Sequence, residues 1–155
     1  ALPAGADDFS RAQFDRLFQG KGDERPIQIA NDMKTVMNDH VGVFRTADGM
    51  QTALDKLSEL KARFQSVKVE DRGKIFNTDL LNTWELGNLL DLAEVTTVSA
   101  LAREESRGAH ARDDFPKRND VDWLEHPLAL NREEGIKLSY KPVVITRFQP
   151  KERVY

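Results

Sequence analysis

The sequence predicts a mainly α fold: an antiparallel three-helix bundle of the spectrin-repeat kind, followed by a small C-terminal segment with short β-strands. Three observations predict it. Apolar residues recur at three- and four-residue spacing in successive long runs, the mark of helices with a buried face. The joins between those runs are short, which favours helices packed up and down against one another. After Gly108 the helical spacing stops, and short apolar runs suited to strands take its place.

The first run, FSRAQFDRLFQ at 9–19, places Phe14, Leu17 and Phe18 near one face, with Phe9 just ahead and Gly20 as a helix stop. With the linker-like start ALPAGADDFS, it makes residues 1–25 a linker and short helix, and the missing initiator Met suggests a piece of something larger. Pro26 suits a first helical turn, where its absent N–H costs nothing. From there Ala30, Met33, Met37, His40, Val41 and Phe44 form the apolar face of a helix over 26–44.

Thr46 is placed to cap a helix over 46–68, whose face is Met50, Leu54, Leu57, Leu60, Phe64 and Val67. A turn around Gly73 follows. The longest helix spans about 78–106, with Asn77 as N-cap and Phe76 and Leu81 placed as a hydrophobic staple. Its polar residues Asn82, Glu85, Asn88, Asp91 and Glu94 step by three, about −60° each around the axis, so they drift instead of forming one wet face. Apolar side chains therefore appear on several sides, as in a helix buried against more than one neighbour. These three helices make a 26–108 unit. Residues 109–155 form an extension: strands over 123–130, over 135–146 and in the Pro-containing tail, with NREEG as a hairpin loop.

Composition excludes several kinds of chemistry. The 155 residues are 39% hydrophobic and 32% charged, values of an ordinary globular domain. Cysteine is absent, which removes disulfides, thiolate catalysis and Cys-based metal sites and fits a reducing compartment. The net charge of −3 argues against a nucleic-acid partner, although the tail 145–153 is locally basic. His40, His110 and His126 lie far apart, with no pair one helical turn apart to ligate a metal; His40 reads as a core or boundary residue and His126 as structural. No GxGxxG, GxxxxGK[ST] or GxSxG occurs, so no phosphate-cradling loop is in place. A Ser106, His110 and Asp113 triad can be picked out, but nothing supplies its oxyanion hole.

The densest cluster is EESRGAHARDDFP at 104–116. Glu104 and Glu105 close the long helix, and Gly108 suits the position just past its end. Arg107, His110 and Arg112 then stand near the negative end of the helix dipole. Asp113 and Asp114 are placed to accept forked hydrogen bonds from Arg107, Arg112 or Arg118. The cluster is either a charge-knitted clasp on the loop leaving a helix or an anion or substrate site built on Arg107, His110 and Arg112. The spacing favours the clasp.

The strings ESRGAHARDDFPKRNDVDWLEHPLAL and KPVVITRFQPKERVY closely resemble the C-terminal region of the succinate dehydrogenase and fumarate reductase flavoprotein subunits. The runs MNDHVGVFRTADGMQTALDKLSELKARF and FNTDLLNTWELGNLLDLAEVTTVSALAREESRGAH resemble the helical bundle of the same family, so the likeness covers roughly 10–155. It implies a parent oxidoreductase that exchanges hydride between succinate or fumarate and a covalently held FAD. That parent would pass electrons to an iron–sulfur subunit and a membrane quinone site, and sit on the inner face of the cytoplasmic membrane. The flavin-linking and substrate-binding residues belong to upstream domains and have no counterpart here. The resemblance thus implies no catalytic, cofactor-binding or metal residue in this chain. It makes Glu105, Ser106, Arg107, Gly108, His110, Arg112 and Asp114 domain-interface residues facing the FAD-binding domain. It also implies indirect contact with membrane anchor subunits and a sticky helix flank prone to self-association. The rival expectation is a stand-alone helical interaction module.

Overall fold

The computed structural model of the chain describes residues 3–132 and 134–151. Four helices come first: α1 (Asp8–Gln19), α2 (Pro26–Val41), α3 (Ala47–Phe64) and α4 (Thr78–Ala102). Between α2 and α3 lies a two-residue strand, β1 (Phe44–Arg45), and after α4 come β2 (Ala111–Arg112), β3 (Glu125–Arg132) and β4 (Gly135–Pro142). A mainly α body with a few short strands is therefore what the sequence folds into.

The apolar spacing sets the packing. Ile29, Met33 and Val36 of α2 meet Met50, Ala53, Leu57, Leu60 and Phe64 of α3 in one core. Helix α4 adds Leu86, Leu90, Ala93 and Ala100. Its buried stripe also contains Thr83 and Thr97, fully buried, whose hydroxyls donate to the carbonyls of Asp79 (2.7 Å) and Ala93 (2.8 Å) one turn back. Helix α1 lies against α4, with Leu17 buried, Phe14 stacked on Trp84 at 5.2 Å and Gln13 accepting from the Trp84 indole N–H.

Caps explain most boundaries. Thr46 Oγ1 accepts from the Gly49 amide (3.1 Å), and Asn77 Oδ1 from the Leu80 amide (2.8 Å). Pro26 opens α2. The expected staple does not form: Phe76 is 94% exposed and Leu81 44%. Phe76 holds φ 52°, in the left-handed region that a bulky residue rarely adopts. Helix α2 stops at Val41 and not at Phe44, because Arg45 reaches back to accept the role of cap: its Nε donates to the Val41 (3.1 Å) and Gly42 (2.9 Å) carbonyls. Helix α3 stops at Phe64, four residues short of the expected end, where 66–68 turn to pair with Glu24.

Strands β1 and β2 pair in parallel, Phe44 with Ala111 and Arg45 with Arg112. Strands β3 and β4 pair antiparallel from Glu125–Pro142 to Arg132–Gly135. The hairpin turn is tighter than NREEG, since Asn131 and Arg132 belong to β3 and Gly135 to β4. No strand occurs over the described tail 143–151, and the rest of the basic tail lies outside the described residues. The hairpin rests on the end of α4 through Trp123, whose ring meets Tyr140 edge-on at 5.8 Å.

Candidate functional site

Arg112 is the centre of the cluster. Its position on β2 carries the guanidinium beneath the end of α4, where only 1% of the residue is exposed. Nη1 is shared among the carbonyls of Ala100 (3.2 Å), Leu101 (2.9 Å) and Arg103 (3.0 Å). These are carbonyls that the end of a helix leaves without intrahelical partners. Nε and Nη2 form a fork onto Asp114 (2.7 and 2.8 Å), and the plane covers the Phe115 ring at 4.9 Å. Asp114 also accepts from the Ala47 amide (2.8 Å), the first residue of α3. One ion pair thus ties the exit of α4 to the entry of α3. The Arg112 guanidinium holds the Asp114 carboxyl far below its ordinary range against some burial, with the Ala47 amide adding to the effect.

Glu105 is fully buried and saturated. It takes a fork from Arg107 (2.8 and 3.0 Å), a bond from the Asn119 amide (2.8 Å) and another from Arg103. Burial pushes its pKa up, but Arg107, the Asn119 amide and Arg103 outweigh it and the net shift is downward. Arg103 donates in turn to the carbonyls of Trp123 (2.9 Å) and Glu125, lying 5.2 Å over the Trp123 ring, which anchors the start of the hairpin. Arg107 also pairs with Asp120 at 2.7 Å.

Ser106 and His110 are equally engaged. Ser106 Oγ accepts from the Arg112 amide (2.8 Å) and donates to the Phe115 carbonyl (2.9 Å). His110 Nδ1 faces Arg45 Nη1 (2.9 Å) and Nε2 faces the Arg103 carbonyl (3.0 Å). Asp113 is exposed and uses its amide, which donates to the Arg45 carbonyl at 2.9 Å. A Ser106, His110 and Asp113 relay is therefore not assembled. The arrangement fastens helix ends together, and among the described residues it leaves no buried side-chain donor or acceptor unpaired.

Gly108 does not sit just past α4, as its spacing suggested. The helix ends at Ala102, and Gly108 turns the 107–110 loop at φ 60°, where the Arg107 and His110 amides and carbonyls bond to each other. Of the seven residues singled out from sequence, Glu105 and Arg112 are interior, and Ser106, Arg107 and His110 are half-buried. Gly108 and Asp114 reach the surface. Sequence reasoning missed Arg45, Arg103 and Asn119. Arg45 comes from 65 positions before His110, and no local spacing announces it.

Outside the clasp, α4 exposes Leu81 (44%), Leu89 (48%) and Leu92 (60%). The exposed charged positions between Leu81 and Thr96 are Glu85 and Asp91, the latter paired with Lys61 of α3, and Asn82, Asn88 and Thr96 are exposed as well. A cavity of about 130 Å³ between α1, α3 and α4 is lined by Arg16, Lys61 and Asp91, but Lys61 pairs with Asp91 (2.7 Å) and Glu94 (2.6 Å). Among the described residues no three His, Asp or Glu converge as metal ligands, and no helix is long and apolar enough to cross a membrane.

Comparison with known proteins follows the same lines. The family described as fumarate reductase flavoprotein C-term matches residues 30–155. The chain is 44% identical over 145 residues to the fumarate reductase flavoprotein subunit of Haemophilus influenzae, which covers 93% of this chain and 24% of that protein. It is 40% identical over 152 residues to the succinate dehydrogenase flavoprotein subunit of Rickettsia bellii, covering 93% and 26%. A solved structure of E. coli quinol fumarate reductase superimposes with a TM-score of 0.89 at 39% identity, over 100% of this chain and 28% of that one. The chain spans about a quarter of the length of the curated relatives it matches.

Proposed function

The chain belongs to the fumarate reductase flavoprotein C-terminal family, and from that premise we propose that it is the helical seat for a flavin-bearing body. In this reading it works within a longer flavoprotein that interconverts succinate and fumarate. The parent passes electrons to an iron–sulfur subunit and, through membrane anchor subunits, to quinone at the inner face of the cytoplasmic membrane. This region docks and braces, and the hydride chemistry belongs to the other body.

The observation that carries the reading is the contrast between the clasp and α4. The buried polar groups of the clasp are all hydrogen-bonded within the chain, while α4 presents Leu81, Leu89 and Leu92 to the outside beside Glu85, its other exposed acid in that stretch, Asp91, being paired with Lys61 of α3. A face of that composition is suited to contact with another apolar surface. Glu105, Ser106, Arg107, His110, Arg112 and Asp114 shape the turn from within, and Gly108 presents it to the partner. The chain's residues do not fit FAD themselves, since no Gly-rich loop precedes a helix to hold its pyrophosphate. Left uncovered, the α4 face pairs copies of the chain at high protein concentration, which sedimentation would read as a dimer.

The test is an assay of the purified chain for succinate-dependent dye reduction with FAD supplied, together with its visible absorbance. We expect neither turnover nor a retained flavin band. Either one would place a reactive centre in this chain and remove the proposal.

A further inference from the structure

His110 spans two helix ends. Its Nδ1 meets Arg45 Nη1 at 2.9 Å, and Arg45 caps α2 through the Val41 and Gly42 carbonyls. Its Nε2 meets the Arg103 carbonyl at 3.0 Å, an oxygen that Arg112 Nη1 also reaches at 3.0 Å. A carbonyl only accepts and a guanidinium only donates. The ring therefore fits this position in one form, the neutral Nε2–H tautomer. A proton added at Nδ1 turns the acceptor into a donor aimed at a guanidinium.

We propose that His110 is a proton-operated latch, which when neutral ties the 107–112 turn to the ends of α2 and α4 and when protonated releases it. The charged groups bearing on the ring are all cations: Arg45 from β1, Arg112 from β2 and Arg103 just past α4. Of the clasp's carboxylates, Asp114 is engaged by Arg112 and Glu105 by Arg103 and Arg107, while Glu104 and Asp113 are exposed and neither bonds the ring. An imidazolium thus gains no countercharge here. Burial pushes the ring's pKa down and the three arginines add to that, against the hydrogen bond to the Arg103 carbonyl.

Linkage gives the sign. The closed turn binds the proton less readily than the open one, so closure is fully favoured above the ordinary His value of about 6.5. It weakens as pH falls through that value toward the lower one of the closed form. The opening constant rises by up to about tenfold per pH unit over that window. Release is local, because the fork between Arg112 and Asp114 and its bonds to α4 do not involve the ring. The latch is a property of this chain alone and stands whether or not the outer side of the turn meets a second body.

The test is nitrogen NMR of the His110 ring in the intact chain, with amide hydrogen exchange at His110 and Asp113 corrected for intrinsic rates. Those two amides donate to Arg107 and Arg45, so they report closure directly. We expect the Nε2–H tautomer at neutral pH. Between about pH 6.5 and about pH 5.5, opening at both amides should rise by up to about fivefold while the Leu90 amide in the core stays unchanged. His110→Asn keeps an acceptor for Arg45 without a titrating group, and its opening should not change over that range. An Nδ1–H tautomer, titration at or above the ordinary value, or the same pH response in His110→Asn would overturn the latch. Should that variant not fold, the tautomer and exchange profile of the unaltered chain decide.

Discussion

Arg112 is the residue on which the joint between α3 and α4 depends. Its removal strands Asp114 and leaves the Ala100 and Leu101 carbonyls without their donor. Arg112 is buried but Asp114 reaches the surface, so the cost is set mainly by the buried carbonyls left without a donor, about 1–3 kcal/mol. We therefore expect Arg112→Met to lower the urea unfolding free energy by roughly that amount, with little change in the denaturant slope. An effect below about 1 kcal/mol would mean that the helix ends are held by something else. Asp114 and Glu105 both have depressed carboxyl pKa values, so their contribution is complete above the ordinary carboxylate range. It is lost as pH falls from about 4 toward the lower folded values. Acid titration of stability should accordingly be shallower in Asp114→Asn than in the unaltered chain. The Arg112–Asp114 fork was within reach of the sequence, because an Arg and Asp two apart at a helix exit can form one. Arg45 was not, since its contact with His110 is fixed by the pairing of β1 with β2, and Arg103 was not, since it reaches carbonyls about twenty residues on at Trp123 and Glu125.

The helices were readable from apolar spacing because each of them buries a stripe, and Thr46, Pro26 and Asn77 opened theirs as expected. Their ends were read too late. The spacing ran on into side chains such as Phe44, which is 71% exposed, and a cap made by a distant arginine leaves no trace at the helix end. The drift of polar residues along α4 did announce its open leucine face, because a helix that buries one stripe needs no leucines on the other side. The link between α1 and α2 depends on a close approach that composition alone does not show. Glu24 pairs with Ser66 and Lys68 at the end of α3, and a Cβ at Gly22 would lie 1.8 Å from the Ser66 carbonyl oxygen. Backbone cannot yield as a side-chain tip does. Gly22→Ala should cost about 1–3 kcal/mol in chemical denaturation and speed exchange at the Lys68 amide, which donates to Glu24. Unchanged exchange there would show that the link is not held against α3.

At the scale of the whole molecule, the core of α2, α3 and α4 is closed and the surface of α4 is open. Leu81, Leu89 and Leu92 stabilise little where they stand, and their placement makes sense as half of a contact. Relatives about four times as long carry the same region joined to further chain, and under the proposed reading that chain holds the other half. The most direct measurement is hydrogen exchange on this chain with and without the flavin-bearing portion of a fumarate reductase flavoprotein that lacks the matching region. The account predicts new protection along Leu81–Thr96 and over the Gly108 turn, with no change on the buried side of α3. Protection confined to other surfaces, or none at concentrations where the two parts associate, would contradict it.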